Sequence, residues 1–163
     1  MAREFLSDVD LKARLLLAGG AGTTGQVLTS NGSGSAPTWQ TLSPDVIVVP
    51  VGDESTACTT GGNKVRFRMP FAATLLAVRA NVNTAPTGST LIVDINESGT
   101  SVLSTKLSID ASETTSTTAA SAAVISDSSL ADDAEISIDI DQIGSTVAGA
   151  GLKVSLFVRR TGP

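Results

Sequence analysis

From residue 46 onward the chain alternates between apolar and polar side chains. Ile136, Ile138 and Ile140 fall on one parity, and Ser137, Asp139 and Asp141 on the other. Leu152, Val154, Leu156 and Val158 alternate in the same way with Lys153, Ser155, Phe157 and Arg159. Successive side chains of a strand point to opposite faces, so each run describes a strand with one buried face. The same period occurs in Val65, Phe67 and Met69 against Lys64, Arg66 and Arg68, and in Leu91, Val93 and Ile95 against Ile92, Asp94 and Asn96. It returns in residues 102–109. Val46, Ile47, Val48 and Val49 form a continuous apolar run. Residues 74–82 and a weak segment at 123–125 bring the total to about eight strands, separated by the turn-forming clusters Thr60-Gly61-Gly62-Asn63 and Ala85-Pro86-Thr87-Gly88. No apolar period of 3.6 appears after residue 45. Short strands without helices must bury their apolar faces against one another, which predicts an all-β, two-sheet sandwich, either jelly-roll-like or immunoglobulin-like. The low-complexity run ETTSTTAAS at residues 113–121 suits a crossover between sheets and favours the jelly roll. Strand order stays open at this level.

The core of such a sandwich has to be aliphatic, because only 3% of the 163 residues are aromatic and Tyr is absent. His is absent too, which removes the commonest general base, and Lys64, Lys106 and Lys153 lie in no catalytic motif. We therefore expect no enzyme. A formal charge of −5 argues against a nucleic-acid partner. The acidic residues Asp127, Asp132, Asp133, Glu135, Asp139 and Asp141 include a pair, Asp139 and Asp141, that share a strand face. Paired carboxylates can bind calcium or act as acid and base, but alternating Asp more simply keeps an outward face soluble, so no metal and no cofactor are expected. Lys64, Arg66, Arg68 and Arg79 read as a face that meets solvent or pairs with those acids. Cys58 has no partner for an intramolecular disulfide and reads as a surface or loop thiol. The first twenty residues carry acidic interruptions and only a four-residue apolar run, which fits neither a signal peptide nor a membrane-inserting helix. Synthesis in a cytoplasm is the expectation. Asn96-Glu97-Ser98 fits a glycosylation sequon, which carries little weight without a secretory signal.

Ahead of the sandwich the texture changes. Residues 1–18 mix charges with Phe5, Leu6, Val9, Leu11 and three consecutive leucines, and we read them as an N-terminal arm. Residues 19–45 are rich in Gly, Thr and Ser and contain Gly20-Ala-Gly22-Thr-Thr-Gly25, a match to the G-x-G-x-x-G of dinucleotide sites. That pattern holds a phosphate only where a helix starts inside the loop. Here Gln26-Val27-Leu28-Thr29 follows, then Asn31-Gly32 and Pro37, so no helix grows and the phosphate reading fails. Residues 26–30 and 37–40 instead read as two short strands around a loop. A hairpin of that size is marginal alone, so Val27, Leu28 and Trp39 need a partner surface, which a second copy of the chain would supply.

The run GTTGQVLTSNGSGSAPTWQTL resembles a repeated signature of bacteriophage tail fibres and related virion appendages. Residues 64–160, with the phrases TAPTGSTLIVDIN and DDAEISIDIDQIGS, are similar to a C-terminal module of phage fibre, head-fibre and decoration proteins. The resemblance implies an intertwined β segment at 19–45 that holds a homotrimer through Val27, Leu28 and Trp39, and a β head at 46–163. It also implies docking of arm residues 1–18 on the particle, through Phe5, Leu6 and Leu11, and no catalytic residues. Only residues 19–45 lie between arm and head, so a knob or short fibre on the virion surface is expected rather than a long shaft. The expected partners are the chain's own copies and other virion proteins, of capsid or tail. Two roles compete. A capsid decoration or head fibre is favoured by the scarcity of aromatic side chains for sugars; the alternative is a tail-associated fibre that binds a host-surface glycan.

Overall fold

The computed structural model describes residues 20, 22, 23 and 25–161, so the expected arm, with Phe5, Leu6 and Leu11, lies outside the described residues. The chain divides into two compact units, Met1–Ser43 and Pro44–Pro163.

In the first unit, β1 (Gln26–Thr29) and β2 (Thr38–Thr41) pair antiparallel, with Leu28 opposite Trp39 and Val27 opposite Gln40. β1 starts directly after Gly25, where a nucleotide-binding loop would need a helix.

The second unit is all-β. Its strands are β3 (Asp45–Val51), β4 (Gly61–Arg68), β5 (Ala73–Asn81), β6 (Leu91–Glu97), β7 (Thr100–Ser101), β8 (Leu103–Thr105), β9 (Leu107–Ile109), β10 (Val124–Ile125), β11 (Ser129–Leu130), β12 (Glu135–Gln142) and β13 (Leu152–Arg160). One sheet has the order β11-β5-β13-β3. The other has the order β4-β12-β6-β7, with β9 also paired to β6, while β8 and β10 form a small separate ladder. Pairing is nested: β3 lies beside β13, β4 beside β12, β5 beside β11, and β6 beside β9. The expected crossover is present in backbone form. Beyond β9, Thr114 accepts from the Val82 amide, and Ser116 donates to the Ala80 carbonyl, which carries the chain to β5 in the opposite sheet.

The inward parity of each long strand fills the core. Leu91, Val93, Ile95, Ile136, Ile138, Val154, Leu156 and Val158 are completely buried, and Val49 and Val51 close the layer from β3. Each such side chain contributes about 1.5–3 kcal/mol by leaving water, which offsets the lack of aromatic bulk.

Three expectations are corrected. Gly61, Gly62 and Asn63 belong to β4 rather than to a turn. The ladder to β12 shifts register between Ile138 and Ile140, and the extra β4 residues are accommodated at Gly61 (φ 142°) and Asn63 (φ 52°). These turn-forming types thus serve a bulge. Residues 103–109 make two short strands, β8 and β9, divided at Lys106 because they pair with different neighbours, β8 with β10 and β9 with β6. Cys58 is no surface thiol: it is 7% exposed and joins the core, and burial pushes its thiol pKa up.

Candidate functional site

The glycines of the G-x-G-x-x-G stretch hold an indole rather than a phosphate. Gly22 has φ +70°, and a Cβ there would lie 2.7 Å from the Trp39 ring. The Trp39 Nε1 donates to the Gly20 carbonyl at 3.3 Å. Gln26 fixes the loop before β1, its Oε1 accepting from the Thr23 amide at 2.8 Å. At the far end Asn31 Nδ2 donates to the Ala36 carbonyl at 2.7 Å and to the Thr38 hydroxyl at 3.1 Å. The conspicuous residues of the fibre-like signature therefore have local jobs, and they build a small ribbon around one Trp. Gly22→Ala would force a left-handed φ on a side-chain-bearing residue, at about 1–2 kcal/mol, and push a methyl group into the ring. We expect the emission of Trp39, the sole Trp, to move to longer wavelength; an unchanged spectrum would mean the indole does not rest on Gly22.

The register also sorts the expected trimer residues. Leu28 and Trp39 are directly opposed and share one face of the ribbon, while Val27 shares the other face with Gln40. Val27 and Leu28 are both exposed, and Trp39 is half-buried. The hairpin thus presents apolar side chains on both faces.

On the sandwich, the acidic residues hold strands and loops together. Asp139 accepts from the Asn63 amide at 2.6 Å and from Asn96 Nδ2 at 3.1 Å. Asp141 pairs with Lys106 at 2.5 Å, and Lys106 also reaches Asp94 at 2.9 Å. Glu135 pairs with Arg66 at 3.6 Å, and Arg68 donates to the Asp133 carbonyl. Asp127 accepts from the Ser129 amide. Arg79 lies over the Phe157 ring, 5.1 Å from its centre. The Asp141 and Asp94 carboxylates together hold the Lys106 ammonium above the ordinary lysine range. Among the described residues, no group of three His, Cys, Asp or Glu side chains is placed to hold a metal ion.

Sequence reasoning missed Asp94, a buried carboxylate on the interior strand β6. Its Oδ1 accepts from Ser101 Oγ at 2.6 Å and from the Ile95 amide at 2.8 Å. These bonds and Lys106 compensate the charge, so the cluster is a clasp between β6, β12 and the β8–β9 junction. Its lysine is held protonated and is a poor nucleophile.

Asp53 opens the loop after β3. Its carboxylate accepts from the Thr56 hydroxyl and amide, both at 2.5 Å, and from the Ser55 amide at 2.8 Å, and these bonds lower its pKa to about 2. A depressed carboxylate stabilises the folded loop fully above its unfolded value of 3.8, and that contribution is lost as pH falls from there toward 2. A carbon-13 titration should place the Asp53 carboxyl midpoint near 2; a midpoint at 3.8 would show that the loop bonds are not formed in solution.

A cleft of about 570 Å³ lies between β5 and residues 116–125. Leu76, Val78, Leu107 and Val124 line it, and Arg79 is its charged lining residue. It has no aromatic platform for a sugar ring. Among the described residues, no helix is long and apolar enough to cross a membrane. No protein-family model, curated protein or solved structure matches the chain.

Proposed function

We propose that the protein is a non-enzymatic structural protein of a bacteriophage particle, a homotrimeric short fibre or knob on the virion surface that serves as a capsid decoration or head fibre. The observation that carries the reading is the hairpin. The fibre-like signature forms a ribbon around Trp39 that leaves Val27 and Leu28 exposed, a surface suited to other copies of itself. The sandwich adds support: four strand pairs nest first with last, a nesting in keeping with the jelly-roll reading, and jelly rolls are common in capsid domains. The charge pattern points the same way, since Asp94, Lys106, Asp139 and Asp141 are engaged in pairs and clasps between strands.

Antibodies against residues 46–163, applied to purified virions and viewed by negative-stain electron microscopy, test the location. Label spread over the capsid is expected. Label confined to the tail tip or collar would transfer the protein to the receptor-binding class, and unlabelled particles would end the virion reading.

A further inference from the structure

Asn31 is the one asparagine of the chain that is followed by glycine; Asn63, Asn81, Asn83 and Asn96 precede Lys, Val, Thr and Glu. Asparagine is a chemically labile residue, and its amide is lost when the backbone nitrogen of the next residue reaches its Cγ. The fold decides where that nitrogen is free. The Val82 amide donates to the Thr114 carbonyl at 3.0 Å and the Thr84 amide to the Ala150 carbonyl at 3.1 Å, while Lys64 and Glu97 lie within β4 and β6. Among the described residues the Gly32 amide donates only to the Ser30 hydroxyl, at 3.3 Å. Asn31 and Gly32 are both exposed in the loop between β1 and β2. Apart from the chain neighbours of Gly32, no atom lies within 4 Å of where a Cβ would stand on it. With no side chain, Gly32 can turn its nitrogen toward Asn31 at little cost.

The Asn31 side chain is also the clasp of this loop. Its Nδ2 donates to the Ala36 carbonyl at 2.7 Å and to the Thr38 hydroxyl at 3.1 Å. Thr38 pairs with Thr29, next to the Leu28 and Trp39 pair, so the clasp closes the loop end of the ribbon. Its bonds must open before Cγ can turn to the Gly32 nitrogen, and they set the pace. We propose that Asn31 is a site of spontaneous, selective deamidation paced by this clasp, and that its conversion opens the loop end of the Trp39 ribbon. The Gly32 nitrogen gives its proton to solvent base and bonds to Asn31 Cγ. The Cγ–Nδ2 bond breaks, and Nδ2 takes a proton from water and leaves as ammonia. Water then adds to either carbonyl of the cyclic imide, giving an aspartate or an iso-aspartate whose main chain is longer by one carbon. No oxidant or reductant is needed. Either product has a carboxylate in place of the Nδ2 donor, so the contact with the Ala36 carbonyl becomes one between two acceptors.

The test is a time course of the full chain in mildly alkaline buffer, with each asparagine followed by peptide mass spectrometry and iso-aspartate by enzymatic methylation. Asn31 is expected to convert about tenfold faster, or more, than any other asparagine, with both acids among its products. Equal or faster conversion elsewhere would overturn the site, as would an Asn31 amide that stays intact while the denatured chain converts. Thr38→Val removes one acceptor of the clasp and should speed conversion by about twofold or more, the share of one hydrogen bond; an unchanged rate would overturn the pacing. Asn31→Asp reproduces one product from the start. Its Trp39 emission should lie at longer wavelength than that of the fresh wild type, and the aged wild type should drift toward it. Identical emission in all three would overturn the opening of the ribbon.

Discussion

Ile138→Ala should lower the stability of the sandwich by about 2–5 kcal/mol, a large share of the total that holds a domain of this size together. Ile138 is completely buried at the middle of β12, opposite Val65 on one side and Ile95 on the other. Removing its outer carbons leaves a void in the centre of a sheet whose neighbours are β-branched and stiff at χ1, so little collapse can fill it. The aliphatic composition sharpens the effect, since few aromatic rings exist that could swing into the gap. Calorimetry should show the melting temperature falling by about 10 °C, with an exposed-site control such as Thr100→Ala within about 0.5 kcal/mol of wild type. A fall of only a degree or two would mean that β12 is not an interior strand of its sheet.

Gly144→Ala should also destabilise the sandwich, by a clash rather than a void. A Cβ at this position would lie 1.9 Å from the Val147 carbonyl oxygen and 2.7 Å from the Thr87 nitrogen. Both are backbone atoms, so no rotamer change can relieve the contact. They belong to a seam in which Thr87 donates to Val147, Thr146 donates to Thr87, and Thr84 and Ala150 exchange bonds. The methyl group must push the β12–β13 connection away from the loop before β6, at a cost of about 1–3 kcal/mol or more. Hydrogen exchange should rise at the amides of Thr87, Thr146 and Ala150 while β12 stays protected. Unchanged protection there would show that the two loops do not approach so closely.

The long strands were legible because a period of two needs several residues to be seen: β5, β6, β12 and β13 each supply seven or more. β7, β10 and β11 have two residues each, a single period with no repeat to reveal it, and their pairing depends on the backbone groups of a neighbouring strand. Gly61 and Asn63 misled for a related reason. The left-handed freedom of such residues serves turns and bulges alike, and only the partner strand decides which. At the hairpin, the Asn-Gly signal and flanking apolar residues placed both strands, but the separation of Val27 from Leu28 and Trp39 needed the register. Asp94 was hidden because its burial depends on Ser101 and Lys106 arriving from the next connection, a contact that no local period encodes.

The nesting of the strands sets an order on the life of the chain. β13 sits between β5 and β3, so Val158 must return to pair with Asp45 before the sheet that begins with β3 is continuous. Until then β3 has no neighbour, and its valines have neither an inner layer nor a fixed outer face. Non-local closure of this kind is slow compared with hairpin formation. The edge of this sheet therefore takes shape only once the last strand has been made, and a chain interrupted before residue 152 should be left with β3 unpaired and its inward valines uncovered.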